Sequence, residues 1–324
     1  MYAEYYNLKA MPFQLTPDSH FFFDSQEHKR AFAHLAYGLA QEEGFVVITG
    51  EIGAGKTMLV ERLWSQLDTG QYRAARVQTT QLSGSDLLQM VAHGFGLHAD
   101  YPDKAGVIHA LDGVFGATRA AGKRCLLVVD EAQNLPIGAL EELRMLSNLT
   151  VQGKAPFQGL LLGQPQFRRM LADASLEQLQ QRILASYHLG PLTATETREY
   201  VHHRLLTAGW NGDPAFDEDA LVAVHQHSGG IPRRINTLCS RLLLSGFIEE
   251  VHRITERMVI TVADELGKDL NAGEPVALDT APLTESSTKY FDERLRKLEH
   301  SVTRHDRALK LTLEITARLI EAQR

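Results

Sequence analysis

One short run of residues has the types and spacing needed to hold a polyphosphate. Residues 50–57 read Gly-Glu-Ile-Gly-Ala-Gly-Lys-Thr and fill every position of the pattern G-x-x-x-x-G-K-[ST]. Glycines allow the backbone to curl so that successive N–H groups point at phosphate oxygens. In this pattern Lys56 reaches the β- and γ-phosphates, and Thr57 places its hydroxyl on Mg²⁺. The run therefore predicts a site for a nucleoside triphosphate.

A second, acidic feature of the chain has the residue types needed for hydrolysis. The apolar run at 125–129 ends in Asp130 and Glu131, which is the form of a Walker B strand. We expect Asp130 to hold the Mg²⁺ shell with Thr57, and Glu131 to polarise the water that attacks the γ-phosphate. Because Glu131 is present, the pattern favours hydrolysis over nucleotide sensing. The expected nucleotide contacts are Gly50, Glu51, Ile52, Gly53, Ala54, Gly55, Lys56, Thr57, Met58 and Asp130.

The segments around these residues predict the elements that must position them. The apolar, β-branched run at 45–49 is typical of a buried parallel strand, and 58–63 continues with helical spacing. Strand and helix patterns then alternate, which predicts a parallel sheet with helices on both faces and ligands at the carboxyl ends of the strands. Further strands are expected at 72–79 and 157–164, and helices at 28–39, 83–93 with a Ser83/Asp86 capping box, 111–121 and 139–149.

The first 24 residues mix aromatic residues with turn formers and are expected to form an ordered coil. Ser25 can then cap the helix that follows. Two roles remain open for the aromatic residues. They either close over the base of a nucleotide or cover the edge of the sheet.

From Pro191 onward the pattern becomes helix after helix, without a strand signal. Thr193 and Glu196 form a capping box, and Asp217 and Thr255 are expected to cap later helices. The expected helices end near 208, 227, 247 and 266. The expected organisation is an α/β nucleotide-binding core at 1–190, a small all-helical lid at 191–268, a linker at 269–288 and an amphipathic helical tail at 289–324.

Composition excludes several classes of protein. The 324 residues carry a net charge of −7, so the whole chain has no electrostatic attraction to nucleic acid or anionic lipid. Its two cysteines, Cys125 and Cys239, fit small core hydrophobes in a reducing compartment. We expect no transmembrane segment, because no apolar run approaches the length of a membrane span. The N-terminus also lacks the pattern of a signal peptide, so a cytoplasmic protein is expected.

Several quoted runs together resemble the extended AAA+ ATPases. They are Thr-Gly-Glu-Ile-Gly-Ala-Gly-Lys-Thr at 49–57, Val-Asp-Glu-Ala-Gln-Asn-Leu at 129–135, Leu-Gly-Gln-Pro at 162–165 and Gly-Ile-Pro-Arg-Arg-Ile-Asn at 230–236. Within that group the chain is similar, over about residues 1–270, to secretion ATPases of the general secretion pathway protein A family. The run at 185–192 looks closer to the branch encoded beside exosortase (PEP-CTERM) and exopolysaccharide genes.

The resemblance implies an AAA+ P-loop fold that uses ATP and Mg²⁺, and it implies roles for three more residues. Gln164 matches sensor 1, although a strand-end turn residue would give the same pattern. Arg233 matches sensor 2, with its neighbour Arg234 as the competing residue. Arg182 matches the arginine finger supplied to a neighbouring subunit. Many relatives have a second arginine where this chain has Ser186, so an arginine in a surface salt bridge is the alternative for Arg182.

These expectations combine into an ATPase that forms a nucleotide-dependent homo-oligomer and serves an inner-membrane export or exopolysaccharide system. Binding to nucleic acid is not expected. The ATPase is expected in the cytoplasm or peripherally at the inner membrane, with its tail transmitting movement to a partner. The alternative from another class is an ATP-dependent, DNA-bound adaptor similar to transposition or replication-initiator ATPases. A third possible function is a nucleotide-gated scaffold with negligible ATP turnover, which the presence of Glu131 disfavours.

Overall fold

The computed structural model describes residues 2–271, apart from 17, 79–83, 99–100 and 102. Residues 1–270 form one unit. The expected tail at 289–324, the linker beyond 271 and the proposed cap Ser83 lie outside the described residues.

A five-stranded parallel sheet forms the centre of the molecule, in the order β2-β3-β4-β1-β5. Its strands are β1 Phe45–Gly50, β2 Tyr72–Gln78, β3 Arg124–Asp130, β4 Gln158–Gly163 and β5 Ile183–Leu189. The sequence patterns predicted the first four within a residue or two, but they did not predict β5. That strand lies at the edge of the sheet, where only Ala185 and Leu189 are buried, so it lacks a continuous apolar run.

Helices cover both faces of the sheet because the strand residues alternate between two apolar clusters. On β1, Phe45 and Val47 pack into the cluster on one face, and Val46 and Ile48 into the cluster on the other. The helices of this part of the chain are α1 Tyr2–Tyr5, α2 Gln26–Gln41, α3 Lys56–Gln66, α4 Gly84–Gly94, α5 Lys104–Ala120, α6 Ile137–Ser147, α7 Pro165–Leu171 and α8 Glu177–Gln180. The Ser25 hydroxyl accepts the His28 backbone N–H, which confirms Ser25 as the cap of α2.

Residues 191–271, which we call the lid, contain four helices and two very short strands, and the strands were not expected. Its elements are α9 Ala194–Thr207, β6 Ala215–Phe216, α10 Glu218–Ser228, α11 Pro232–Ile248, β7 Arg253–Ile254 and α12 Glu256–Asn271. The capping box of Thr193 and Glu196 is confirmed. The Asp217 side chain does not cap α10 and instead accepts the Arg253 Nε–H at 2.7 Å. Paired two-residue strands are too short to leave a pattern in the sequence.

The beginning of the chain packs with the lid and not with the core. Tyr2, Tyr6, Leu8 and Phe13 are buried in the apolar cluster formed by the lid helices. The Tyr6 hydroxyl donates to the carbonyl of Val251 at 2.9 Å. The expected core range began at residue 1, and the expected coil contains helix α1 and a 3₁₀ turn at Ser19–Phe21. Within the described part of the chain, no helix combines the length and apolar character needed to cross a membrane.

Candidate nucleotide site

The phosphate-binding pattern forms the turn between β1 and α3. Gly53 and Gly55 have φ of +84° and +103°, a region that glycine enters without strain. Gly55 is the N-cap residue of α3. The Lys56 ammonium is buried and donates to the carbonyls of Gly50 at 2.7 Å and Glu51 at 3.0 Å. The loop therefore presents a helix N-terminus and an ammonium group at one place.

Burial lowers the pKa of Lys56, while the nearby charges of Glu131, Asp130 and Glu51 act in the opposite direction. An ammonium with little water around it interacts strongly with any anion that replaces its two carbonyl partners. A polyphosphate is such an anion.

Asp130 ends β3, where it is buried and bonded on both carboxylate oxygens. Oδ1 accepts the Glu131 N–H at 3.0 Å, and Oδ2 accepts an Nη2–H of Arg76 at 2.9 Å. Arg76 lies on β2 and also donates to Glu61 on α3 at 2.6 Å. Burial lowers the pKa of Arg76, but its hydrogen bonds to the two carboxylates outweigh this and raise it. Arg76 lies in an ordinary strand with no motif around it, so the sequence alone does not reveal its contact with Asp130.

Two amide side chains hold the carboxylate of Glu131. Glu131 Oε2 accepts from Gln133 Nε2 at 2.5 Å and from Gln164 Nε2 at 3.0 Å. The Gln164 N–H in turn donates to Gln133 Oε1 at 2.9 Å. Glu131 itself has φ +56°, which is uncommon for a residue with a side chain. The end of β4 is thus connected directly to the end of β3.

The lid contacts the loop through the start of α11. The Arg233 N–H donates to the carbonyl of Gly53 at 3.2 Å. A Cβ added to Gly53 would lie well under 3.0 Å from the Cβ of Arg233. Of the two adjacent arginines, Arg233 is the one that lines the cavity at the loop. Any change in the angle of the lid therefore acts directly on the loop.

Arg182 lies at the end of the sheet where the parallel strands begin, opposite the end that carries the phosphate loop. It precedes β5, whose far end, Leu189, is in register with Gly50 at the loop. The seven residues of β5, at about 3.3 Å each, separate these two ends of the sheet by roughly 20 Å. The half-buried Arg182 donates to the carbonyl of Ser147 at 3.2 Å. Arg182 therefore does not reach the loop of its own chain.

A cavity of about 220 Å³ extends from the loop between the coil and the lid. Coil residues form one wall, so the aromatic segment does lie beside the site. Arg204 of the lid stacks over Phe21 at 4.7 Å and donates to the carbonyl of Pro12 at 2.5 Å. Lining residues include Gln14, Leu15, Phe21, Phe22, Phe23, His28, Ile52, Lys56, Thr57, Met58, Glu131, Leu192, Tyr200, Arg204, Arg233 and Asn236.

Arg62 ties the coil to the helix that follows the loop. From α3 it donates to Asp24 at 2.6 Å, and its guanidinium lies over the rings of Phe22 at 5.1 Å and Phe32 at 5.2 Å. Such cation–π contacts stabilise by about 0.5–2 kcal/mol each. The wall of the cavity and the loop are therefore linked through α3.

Residues 39–171 match the family described as AAA domain, a range that contains the loop, Asp130, Glu131 and Gln164. The fold agrees with solved structures of the same class. Cdc6p from Pyrobaculum aerophilum has a TM-score of 0.59 at 15% identity, with 80% of this chain and 75% of that chain covered. Aeropyrum pernix ORC2, solved as ADPNP-ADP complexes, has a TM-score of 0.55 at 15% identity, with 77% and 72% covered. The chain has the fold of the AAA+ P-loop ATPases.

General secretion pathway protein A of Aeromonas hydrophila is 40% identical over 269 residues. The alignment covers 82% of this chain and 48% of that protein, so the chain spans about half the length of the curated relative it matches. The chain is therefore similar to this protein over most of its own length.

Proposed function

We propose that the protein is a Mg²⁺-dependent ATPase that hydrolyses ATP to ADP and phosphate. The observation that carries this proposal is the carboxylate of Glu131, which the amides of Gln133 and Gln164 hold beside the phosphate loop. A carboxylate held in a fixed orientation at the end of a strand can orient and deprotonate water, as a general base must. Glu131 also lines the same cavity as Lys56.

The remaining residues supply binding and orientation. Lys56 and the N–H groups of the loop bind the β- and γ-phosphates, which replace the carbonyls that the ammonium now contacts. Thr57 and Asp130 offer hard oxygen ligands, which suit Mg²⁺, and Asp130 would hold it after loosening its bond to Arg76. Bound Mg²⁺ would neutralise charge on the phosphates. Arg233 reaches the phosphates from the lid, so that the angle of the lid follows the state of the nucleotide.

Two substitutions test the chemistry separately. Glu131→Gln should keep ATP binding and lower hydrolysis by a factor of roughly a hundred or more, the scale of general-base loss. Lys56→Ala should weaken binding itself. ATP affinity by calorimetry and phosphate release would be measured for both variants. Hydrolysis by Glu131→Gln at the wild-type rate would show that another group is the base.

We also propose that the ATPase assembles through its nucleotide sites and that Arg182 acts on the nucleotide of a neighbouring subunit. Its position at the edge of the sheet remote from its own loop supports this, since it leaves a neighbour's loop as the site to reach. Arg182→Ala should keep ATP affinity and lose most activity. Mixing it with Lys56→Ala protein should restore part of the turnover. Oligomers without any restored activity would make the Ser147 contact its whole role.

For the cellular role, we propose service to an inner-membrane export system, which the identity to general secretion pathway protein A supports. The resemblance at 185–192 extends the proposal to the exosortase and exopolysaccharide branch. The segment 289–324 has nine Lys and Arg against six Asp and Glu, a modest excess that suits a protein or membrane surface better than duplex DNA.

Removal of residues 289–324 should abolish association with such an export partner, measured by co-purification from inner-membrane fractions. The full chain should show no duplex DNA binding at physiological salt, with or without ATP. ATP-dependent and salt-sensitive assembly on duplex DNA would favour the adaptor instead. Unchanged association of the shortened chain would move the contact to the core or the lid.

A further inference from the structure

His28 is a buried polar side chain that none of the proposed steps uses. It lies in the first turn of α2, is only 6% exposed, and lines the cavity beside the loop. Its Nδ1 is 2.7 Å from the hydroxyl of Ser25. Its Nε2 is buried and makes no hydrogen bond within the described residues. A buried polar atom left without a partner destabilises the protein, so its retention at a cavity points to a ligand.

The contacts of Ser25 favour one tautomer of the ring. The Ser25 oxygen already accepts the His28 backbone N–H at 3.2 Å. Its single proton is then best donated to Nδ1, which leaves the other ring nitrogen, Nε2, protonated in the neutral ring. Burial lowers the pKa of His28, and Arg62 acts in the same direction against Asp24, Glu27 and Glu196. The His28 ring beside the cavity is therefore neutral, and its Nε2 carries the proton.

The ring lies between the phosphate loop and the aromatic residues of the coil. Nε2 lies 2.5 Å from the point where a Cβ of Gly55 would be, directly against the loop. The other side of the ring meets the edge of Phe22, with centroids 5.5 Å apart. Lys56, Arg204 and Arg233 supply the positive charge that lines the same cavity. A neutral donor in an aromatic wall suits an uncharged part of the ligand.

We infer that His28 contacts the nucleoside part of the nucleotide by donating its Nε2 proton to a ring nitrogen of the base or an oxygen of the ribose. The inference rests on the proposed binding of ATP, and it names a specificity residue on the coil side of the cavity. The neighbouring lid groups are already bonded within the protein, since the Tyr200 hydroxyl donates to Asn236 at 2.8 Å. His28 thus has a donor for which the described residues supply no partner.

The experiment measures dissociation constants of ATP, ADP and inorganic tripolyphosphate by calorimetry for the full chain and its variants. His28→Phe keeps the ring shape without the donor and should weaken ATP and ADP by about tenfold, the effect of one lost hydrogen bond. Tripolyphosphate should bind unchanged. His28→Gln carries an amide N–H that reaches about as far as Nε2, and it should recover most of the affinity. His34→Phe is the matched control, because His34 is exposed on the same helix and outside the cavity.

Other outcomes of these titrations would contradict the inference about His28. Equal weakening of tripolyphosphate by His28→Phe would place the contact at the phosphates or the loop and overturn the inference. Unchanged ATP affinity in His28→Phe would make the ring a passive wall. If His28→Phe fails to fold, affinity in His28→Gln equal to that of a small apolar variant, His28→Ala, would overturn it as well. If the wild-type chain bound no ATP, the proposed ATPase function itself would be wrong. The ATP and tripolyphosphate titrations of the wild-type chain test this independently of any variant.

Discussion

Gly53→Ala is expected to separate the lid from the phosphate loop. Gly53 has φ +84°, so any Cβ there costs about 1–2 kcal/mol of backbone strain. The added methyl also meets the Cβ of Arg233 well inside 3.0 Å, so α11 must retreat until the carbons reach about 3.5–4.0 Å. That retreat breaks the 3.2 Å hydrogen bond from the Arg233 N–H to the Gly53 carbonyl, a further loss of about 1 kcal/mol.

Gly122→Ala provides the matched control, because Gly122 has φ +73° and no atom within 4 Å of the added Cβ. Its cost is strain alone, so its thermal midpoint should fall by about 2–6 °C and its ATP affinity should stay unchanged. Gly53→Ala should lose about 2–3 kcal/mol, about twice that fall, and bind ATP at least tenfold more weakly. Scanning calorimetry and ATP titration measure both quantities. If the two variants behave alike in both assays, the close contact between loop and lid is refuted.

Three further predictions concern groups in or beside the site. Arg76→Gln should lower the Mg²⁺ concentration that half-saturates ATP binding by roughly tenfold, because the Asp130 carboxylate then keeps its full charge for the cation. An unchanged Mg²⁺ titration would contradict this prediction. Gln164→Leu should lower the rate of hydrolysis by roughly 10–100-fold with ATP affinity kept, since it removes one of the donors that orient Glu131; phosphate release checks it. Burial lowers the pKa of His28, so unfolding takes up a proton as the pH falls below about 6.5. The stability of the wild-type protein should therefore drop below that pH, as measured by thermal melts at a series of pH values. A drop of equal size in His28→Gln would refute the assignment to His28.

Two of the strands that the sequence predicted, β1 and β3, are buried on both faces. Strand β3 has a continuous apolar run, and β1 is buried throughout, so both leave a clear pattern. Edge strand β5 has only one partner strand and exposes most of its side chains, so its polar residues hide it. The assignment of residues 2–13 to the lid depends on contacts more than 180 residues apart, such as Tyr6 with Val251, and no local pattern encodes them.

The site shows the same division between local and distant information. The loop at 50–57 carries its geometry in its own glycines, so a motif could locate it. Arg76 contacts Asp130 because β2 and β3 are neighbours in register, which only the order of strands decides. His28 is a helix residue with no motif, although a histidine three residues after a serine cap was a visible pattern. Gln133 follows the acidic pair by two residues, and its role required the turn that the positive φ of Glu131 creates.

Because residues 2–13 belong to the lid, the chain passes between lid and core twice, once along 14–25 and once at 190–193. Two covalent crossings restrict the motion of one body against another largely to rotation about the line that joins them. Both crossings contribute to the walls of the cavity, through Leu15 and Phe22 on one and Leu192 on the other. A ligand in this cavity would lie beside that line, and rotation about it would displace each part of the lid in proportion to its distance from the line.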